Sequence, residues 1–127
     1  MQFANEWVQA CLAGGCATLN SGTFQIKNAA GAEMAALPFS ATAFGTPTNA
    51  NPSVATSAAI TADTTYTPGT IALFALRTST AVNRISGTVS TVAAGTGDLR
   101  VSDTVIPGGF DSVSCPGGLT LTLTMAG

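Results

Sequence analysis

The chain has 127 residues and a formal net charge of −2, and only 8% of its residues are charged, against about 25% in an average soluble protein. This length predicts a single domain. The four cations are scattered along the chain and are outnumbered by six acidic residues, so we predict no basic patch and expect no nucleic-acid partner.

Signals for membranes and secretion are missing from the sequence as well. No apolar run approaches the ~20 residues of a membrane helix. The N-terminal segment lacks a basic region, carries Glu6 within its first apolar stretch and has no cleavage site typical of a signal peptide. We therefore expect no membrane partner and synthesis in the cytoplasm.

The apolar residues of the chain are mostly small. They make up 46% of the sequence, but 22 of them are alanine, and Leu, Ile, Val and Phe together number only 28. This combination predicts a lean core. Because desolvating Ala, Thr or Ser costs far less than desolvating a charge, an exterior of this composition is typical of a surface that is buried against other chains. We predict an obligate assembly.

An N-terminal helix is predicted over residues 3–13. Its apolar side chains recur at a spacing of four residues, and they are Phe3, Trp7, Cys11, Val8 and Leu12. The Gly14–Gly15 pair predicts the end of this helix, so residues 1–18 form a helical arm. Two interpretations stay open, because the helix can pack on the sheet of its own domain or dock on a neighbouring subunit.

Strands are predicted at seven places bounded by Gly, Pro, Asn or Asp. They cover residues 23–27, 33–39, 69–77, 81–89, 98–101, 110–114 and 118–125. Short strands separated by turn signals predict an all-β fold for residues 19–127, an antiparallel β-sandwich of jelly-roll-like or Ig-like character that follows the short helix.

Two stretches allow finer predictions. Residues 85–101 alternate apolar and polar side chains on either side of a Gly-rich turn, which predicts a half-buried hairpin. In the last strand the leucines Leu119, Leu121 and Leu123, with Met125, alternate with threonine, so we expect them to face inward. Between the second and third predicted strands, residues 40–57 have no charge and no periodicity and are predicted to form a long loop.

Catalytic and metal-binding residue types are scarce. The chain has no His, which removes the commonest general base and metal ligand. Its thiols, Cys11, Cys16 and Cys115, are one short of an all-thiolate zinc site. We therefore expect no enzymatic activity, no cofactor and no metal. For Cys11 and Cys16, a disulfide and two small buried apolar side chains both stay open.

Aspartates and aromatic residues give two further alternatives. Asp98, Asp103 and Asp111 lie in the second half of the chain. Their spacing matches no calcium loop, and acceptance of backbone N–H groups in turns is the commoner role of such residues. An adhesion or sugar-binding module would need a shelf of exposed rings, and a single Trp7 and a single Tyr66 make such a shelf hard to build.

Three segments resemble a widespread family of small virion proteins of tailed bacteriophages. They read LNSGTFQIKN, ALPFSATAFG and TADTTYTPGTIALFALRTSTAVNRISGTVSTVAAGTGDLRVSDTVIPGG. The similarity lies in Gly-Thr strands, one of which ends at Arg77, in a Gly-Asp-Leu turn at residues 97–99 and in an Ile-x-x-Gly approach to a Thr-rich last strand. It covers residues 19–125, with departures at KNAA and at the inserted CPGG.

This resemblance implies a structural role on the virion. The expected protein is a head decoration or cement protein that binds the outer surface of the capsid, and its partners are the major capsid protein and copies of itself, with a trimer favoured. A tail, neck or baseplate protein on the same fold is the alternative. For contacts with the capsid or between copies, we expect Phe3 and Trp7 in the helix and Phe39 and Phe44 near the long loop.

Overall fold

The computed structural model describes residues 1–126, and it is mostly β-structure with one short N-terminal helix. The helix, α1, covers Asn5–Ala17. The strands are β1 Thr23–Lys27, β2 Glu33–Pro38, β3 Ser53–Thr56, β4 Gly69–Thr70, β5 Leu73–Arg77, β6 Asn83–Thr91, β7 Leu99–Val101, β8 Val105–Ile106 and β9 Thr120–Leu123. Gly127, the last residue of the predicted domain, lies outside the described residues. Within residues 1–126, no helix has the length and apolar character needed to cross a bilayer.

The largest sheet has five strands in the order β2-β1-β5-β6-β7. Its pairs are antiparallel except the last, because β6 and β7 run parallel, with Val89 opposite Leu99. The predicted hairpin over residues 85–101 is therefore wrong, and the sheet is mixed. After β6 the chain turns back along this strand, and Gly97 donates its N–H to Ser90 Oγ at 2.8 Å before β7 begins. A Cβ at Gly97 would lie 2.5 Å from the Ser90 nitrogen, so this return path requires glycine.

Two further pairs, β3–β9 and β4–β8, complete the strands of residues 1–126. The predicted loop over residues 40–57 contains β3, which pairs along its whole length with β9. The strand predicted over 69–77 is interrupted between β4 and β5, where Ile71 donates its N–H to the carbonyl of Thr104. The strand predicted over 110–114 is reduced to an isolated bridge between Val113 and Asp63.

The helix is longer than its sequence predicts. It passes through Gly14 and Gly15 and ends at Ala17, although glycine inside a helix costs about 1 kcal/mol relative to alanine. Packing explains this extension. The additional turn places Cys16 in the core, and Leu19, just beyond it, is buried as well.

The buried apolar cluster includes side chains from three neighbouring strands of the main sheet. Across β2, β1 and β5, Phe24 is opposite both Leu37 and Leu76, and its ring meets that of Phe74 edge-on with centroids 6.5 Å apart. Ala55 of β3 belongs to the same buried cluster. In β9 the leucines are half-buried and the threonines exposed, which confirms the predicted inward face and shows that its cover is incomplete.

Candidate contact surfaces

The helix is fixed to the body of the protein by one row of side chains. Val8 is fully buried and Cys16 nearly so, and Leu12 packs against the core from between them. Gln9 adds a hydrogen bond from Nε2 to the carbonyl of Pro47 at 2.7 Å. Because two independent contacts hold α1, its outer face has a defined position relative to the sheets.

The outer face of α1 carries the only tryptophan of the chain. Trp7 is 58% exposed, Cys11 is exposed next to it in the helical spacing, and Phe3 is half-buried just before the helix. The predicted apolar stripe therefore divides into an inner row and an outer one. Trp7 on the outer row is open to a partner, and the helix packs on its own domain at the same time.

The two aromatic residues predicted as contacts near the long loop lie elsewhere. Phe39 and Phe44 are each 5% exposed, and their ring centroids are 5.8 Å apart. Both belong to the core cluster. Their rings are part of the core and offer almost no surface to a partner. Burial explains why Phe44, an apolar residue outside any predicted strand, is present at all.

A second exposed aromatic residue was missed by the sequence reasoning. Phe110 is 65% exposed, and Tyr66 holds the turn that carries it. The Tyr66 hydroxyl accepts the N–H of Phe110 at 2.9 Å and lies 3.0 Å from the carbonyl of Phe110 and 3.2 Å from that of Pro107. The sequence does contain a signal for this turn, because the Gly-Gly pair before Phe110 favours a turn over the predicted strand.

Two of the three aspartates noted in the sequence accept backbone N–H groups. Asp103 accepts the N–H of Val105, two residues later, at 2.9 Å, which confirms the turn interpretation for this aspartate. Asp98 also accepts a backbone N–H, but from Thr88 of β6, ten residues away, at 3.1 Å. No three His, Cys, Asp or Glu side chains within residues 1–126 are grouped so that they could hold a metal ion.

The three cysteines are all free thiols. Cys16 is buried, whereas Cys11 is exposed and Cys115 is half-buried. Burial raises the pKa of the Cys16 thiol and that of the Cys115 thiol. Both therefore remain protonated at neutral pH, where a thiol is a weak nucleophile. The alternative of a small buried apolar side chain describes Cys16 and does not describe Cys11.

Comparison with protein-family models, with curated proteins and with solved structures finds no match for this chain. The surfaces that the fold exposes are then the basis for inferring what the chain contacts. Among the four residues expected to make contacts, Trp7 is exposed on α1 and Phe3 is half-buried just before the helix, whereas the exposed Phe110 lies on a separate turn.

Proposed function

We propose that the chain is a structural protein of a tailed-bacteriophage virion, a head decoration protein that binds the major capsid protein on the outside of the shell. The observation that carries this proposal is Trp7, an exposed aromatic side chain on a helix that is fixed to the protein body. Trp is among the residues that contribute most to protein interfaces when a partner buries them.

The composition supports the same role. Only 8% of the residues are charged. A partner that covers this exterior therefore removes few charged groups from water, and the desolvation cost of docking is small. Each bound copy stabilises the shell only modestly. Because this stabilisation follows mass action, the contributions of many copies bound over the capsid lattice add together. In this role the chain acts mechanically, by adding buried area across junctions between capsid subunits.

The proposal includes a finer description of the architecture. In it, β3 and β9 form the second layer of a β-sandwich over the main sheet. The buried cluster shared by Phe24, Leu76 and Ala55 supports this arrangement, as does the packing of Leu121 of β9 against that cluster. A lean second layer also agrees with the small number of large apolar residues in the sequence.

The test is attachment to capsids of the phage whose genome encodes the chain. Empty heads that lack the protein are incubated with the purified wild-type chain, with Trp7→Ala and with Phe110→Ala, and bound copies are counted by quantitative mass spectrometry and cryo-electron microscopy. We expect wild-type copies spread over the head and at least about tenfold weaker attachment of Trp7→Ala, which corresponds to about 1.4 kcal/mol. Phe110→Ala is the matched control, an exposed aromatic residue on another surface.

Two results would contradict the proposal. One is wild-type occupancy of the heads by Trp7→Ala, which would remove the helix face from the contact. The other is copies confined to the tail, neck or baseplate, which would assign the chain to a different part of the virion.

A further inference from the structure

Three of the four lateral edges of the main sheet and of the β3–β9 pair are protected against further strand pairing. The edge of β2 is covered by residues 61–67, since Thr61 donates its N–H to the carbonyl of Pro38 and Thr67 to that of Met34. Loops that cover an edge in this way prevent pairing with another chain.

The other two protected edges are those of β3, which is covered by a loop, and of β7, which is short and charged. Residues 45–48 cover β3, where Gly45 and Thr48 donate their N–H groups to carbonyls of that strand. The edge of β7 has only three residues, with Arg100 at its centre and Asp98 immediately before it. Short, charged edge strands are poor templates for pairing.

The edge of β9 has neither kind of protection. Within residues 1–126, β9 pairs with β3 alone, and residues 112–126 contain no charged residue. Ser57 donates its N–H to the carbonyl of Leu119 at 2.8 Å, so the backbone groups of Leu119 face β3. Because the period of a strand is two, those of Leu121 also face β3, and those of Thr120 and Thr122 face the free edge.

The surface beside this free edge is mostly apolar. A groove of about 460 Å³ lies between α1, β6 and β9; its walls include Leu12, Ile85, Leu121 and Leu123, and also the charged Arg84. Ile85 of β6 is 37% exposed, and the two leucines are half-buried. One incoming strand would therefore form hydrogen bonds with the free backbone groups of the edge and bury the apolar side chains of the groove.

We infer that the free edge of β9 pairs antiparallel with β9 of a second copy of this chain. The sequence of the strand is self-complementary about a two-fold axis at Thr122, which places Leu121 opposite Leu123 of the partner subunit and threonine opposite threonine. The leucine rows then continue across the join over the groove, and the two β3–β9 pairs become one four-stranded sheet. The strand itself carries no charge that would oppose a second copy, and Arg84 is the charged side chain in the groove wall.

This pairing rests on the proposed function only in supposing that copies of the chain associate. An isologous contact of this kind closes with two copies, whereas the trimer implied by the family resemblance needs a different contact. The expected particle has twice the mass of the 12.6 kDa chain.

The experiment combines light scattering, sedimentation and amide hydrogen exchange on the full chain. Thr122→Pro removes an N–H that faces the free edge and no hydrogen bond to β3, so the monomer should tolerate it. Thr122→Val keeps the backbone donor and is the matched control. We expect a dimer for the wild type and for Thr122→Val, and a dissociation constant at least about tenfold higher for Thr122→Pro. On dilution, the amides of Thr120 and Thr122 should lose protection while that of Leu121 keeps it.

Thr122→Lys gives a second route to the same answer if the proline variant fails to fold. On the two-fold axis it would place two ammonium groups opposite each other, so the dimer should weaken and recover with added salt. A wild-type monomer at all concentrations, a mass of three copies, or a dimer insensitive to both substitutions would overturn the inference. A monomer that still binds heads through Trp7 would overturn this inference alone, and a β9-dependent dimer that does not bind heads would overturn the proposed function alone.

Discussion

The carboxylate of Asp63 accepts the backbone N–H of Ala36 at 2.8 Å and thereby holds a loop against the edge of β2. Its other oxygen accepts the N–H of Thr65 at 2.8 Å and the Thr65 hydroxyl at 3.0 Å. Asp63 also exchanges two backbone hydrogen bonds with Val113. One residue therefore connects the covering loop to both β2 and the segment that leads to β9.

This relationship predicts a pH dependence. Partial burial raises the pKa of Asp63, but the hydrogen bonds from Ala36 and Thr65 together outweigh it, so the pKa lies below its ordinary value. A depressed folded-state pKa stabilises the fold fully above the unfolded-state pKa, about 3.9, and this stabilisation is lost as the pH falls through the folded-state pKa.

We expect the free energy of unfolding of the wild type to fall below about pH 4, and Asp63→Asn to show less of this decline. At pH 7, Asp63→Asn should cost about 1 kcal/mol, because one carboxylate acceptor becomes an amide donor. Urea unfolding followed by circular dichroism from pH 7 to acid measures both effects. Asp111→Asn, at an exposed residue, is the control, and identical pH profiles for Asp63→Asn and the wild type would refute the assignment.

The turn that displays Phe110 depends on a single hydroxyl. Tyr66→Phe removes the acceptor of the Phe110 N–H and the donor to the neighbouring carbonyls, and it should lower the free energy of unfolding by about 1–2 kcal/mol. Phe110→Ala should change it by less than about 0.5 kcal/mol, since that ring is exposed. Chemical unfolding of the two variants provides the measurement. Equal effects of both substitutions would mean that the hydroxyl does not hold the turn.

The two faces of α1 should respond in opposite ways to alanine. Val8→Ala removes two buried methyl groups and should cost roughly 2 kcal/mol. Trp7→Ala should leave the free energy of unfolding within about 0.5 kcal/mol of the wild type, because the ring is mostly exposed. Thermal and urea unfolding of the monomeric state compare them. A larger loss for Trp7→Ala than for Val8→Ala would reverse the orientation of the helix.

The extension of the helix through its glycines makes a further prediction. A Cβ at Gly14 meets nothing within 4 Å, so Gly14→Ala should raise the free energy of unfolding by about 1 kcal/mol. Had the helix ended at this glycine in a left-handed conformation, the same change would lower it. The sign of the shift in the urea midpoint therefore distinguishes the two arrangements.

Gly97 predicts the opposite outcome for the same kind of change. Its missing side chain lets the chain return along β6, and a Cβ there would press on the backbone of Ser90. Gly97→Ala should therefore destabilise the fold by about 2 kcal/mol or more and broaden the amide signals of β6 and β7 in NMR spectra. A variant with unchanged stability and unchanged spectra would count against the parallel pairing of these strands.

Where the sequence predicted correctly, the information was local. Residues 23–27 were predicted as a strand and form β1 with the same bounds, because alternation and the flanking Gly act over a few residues. The inward face of Leu119, Leu121 and Leu123 follows from the same period of two. Spacing alone could not show that Trp7 is exposed and Val8 buried, since both lie on apolar rows of one helix.

The tertiary structure decided whatever depended on a distant partner. Ser53–Thr56 is a strand because β9, more than 60 residues later, pairs with it, and nothing in its own four residues shows this. The parallel course of β7 depends on the close passage of Gly97 along β6, and Phe39 and Phe44 are core residues because their rings pack against each other within the buried cluster. Composition and periodicity set which side chains are buried in a given strand, whereas pairing and packing between distant segments determine which strands exist and which rings remain exposed for a partner.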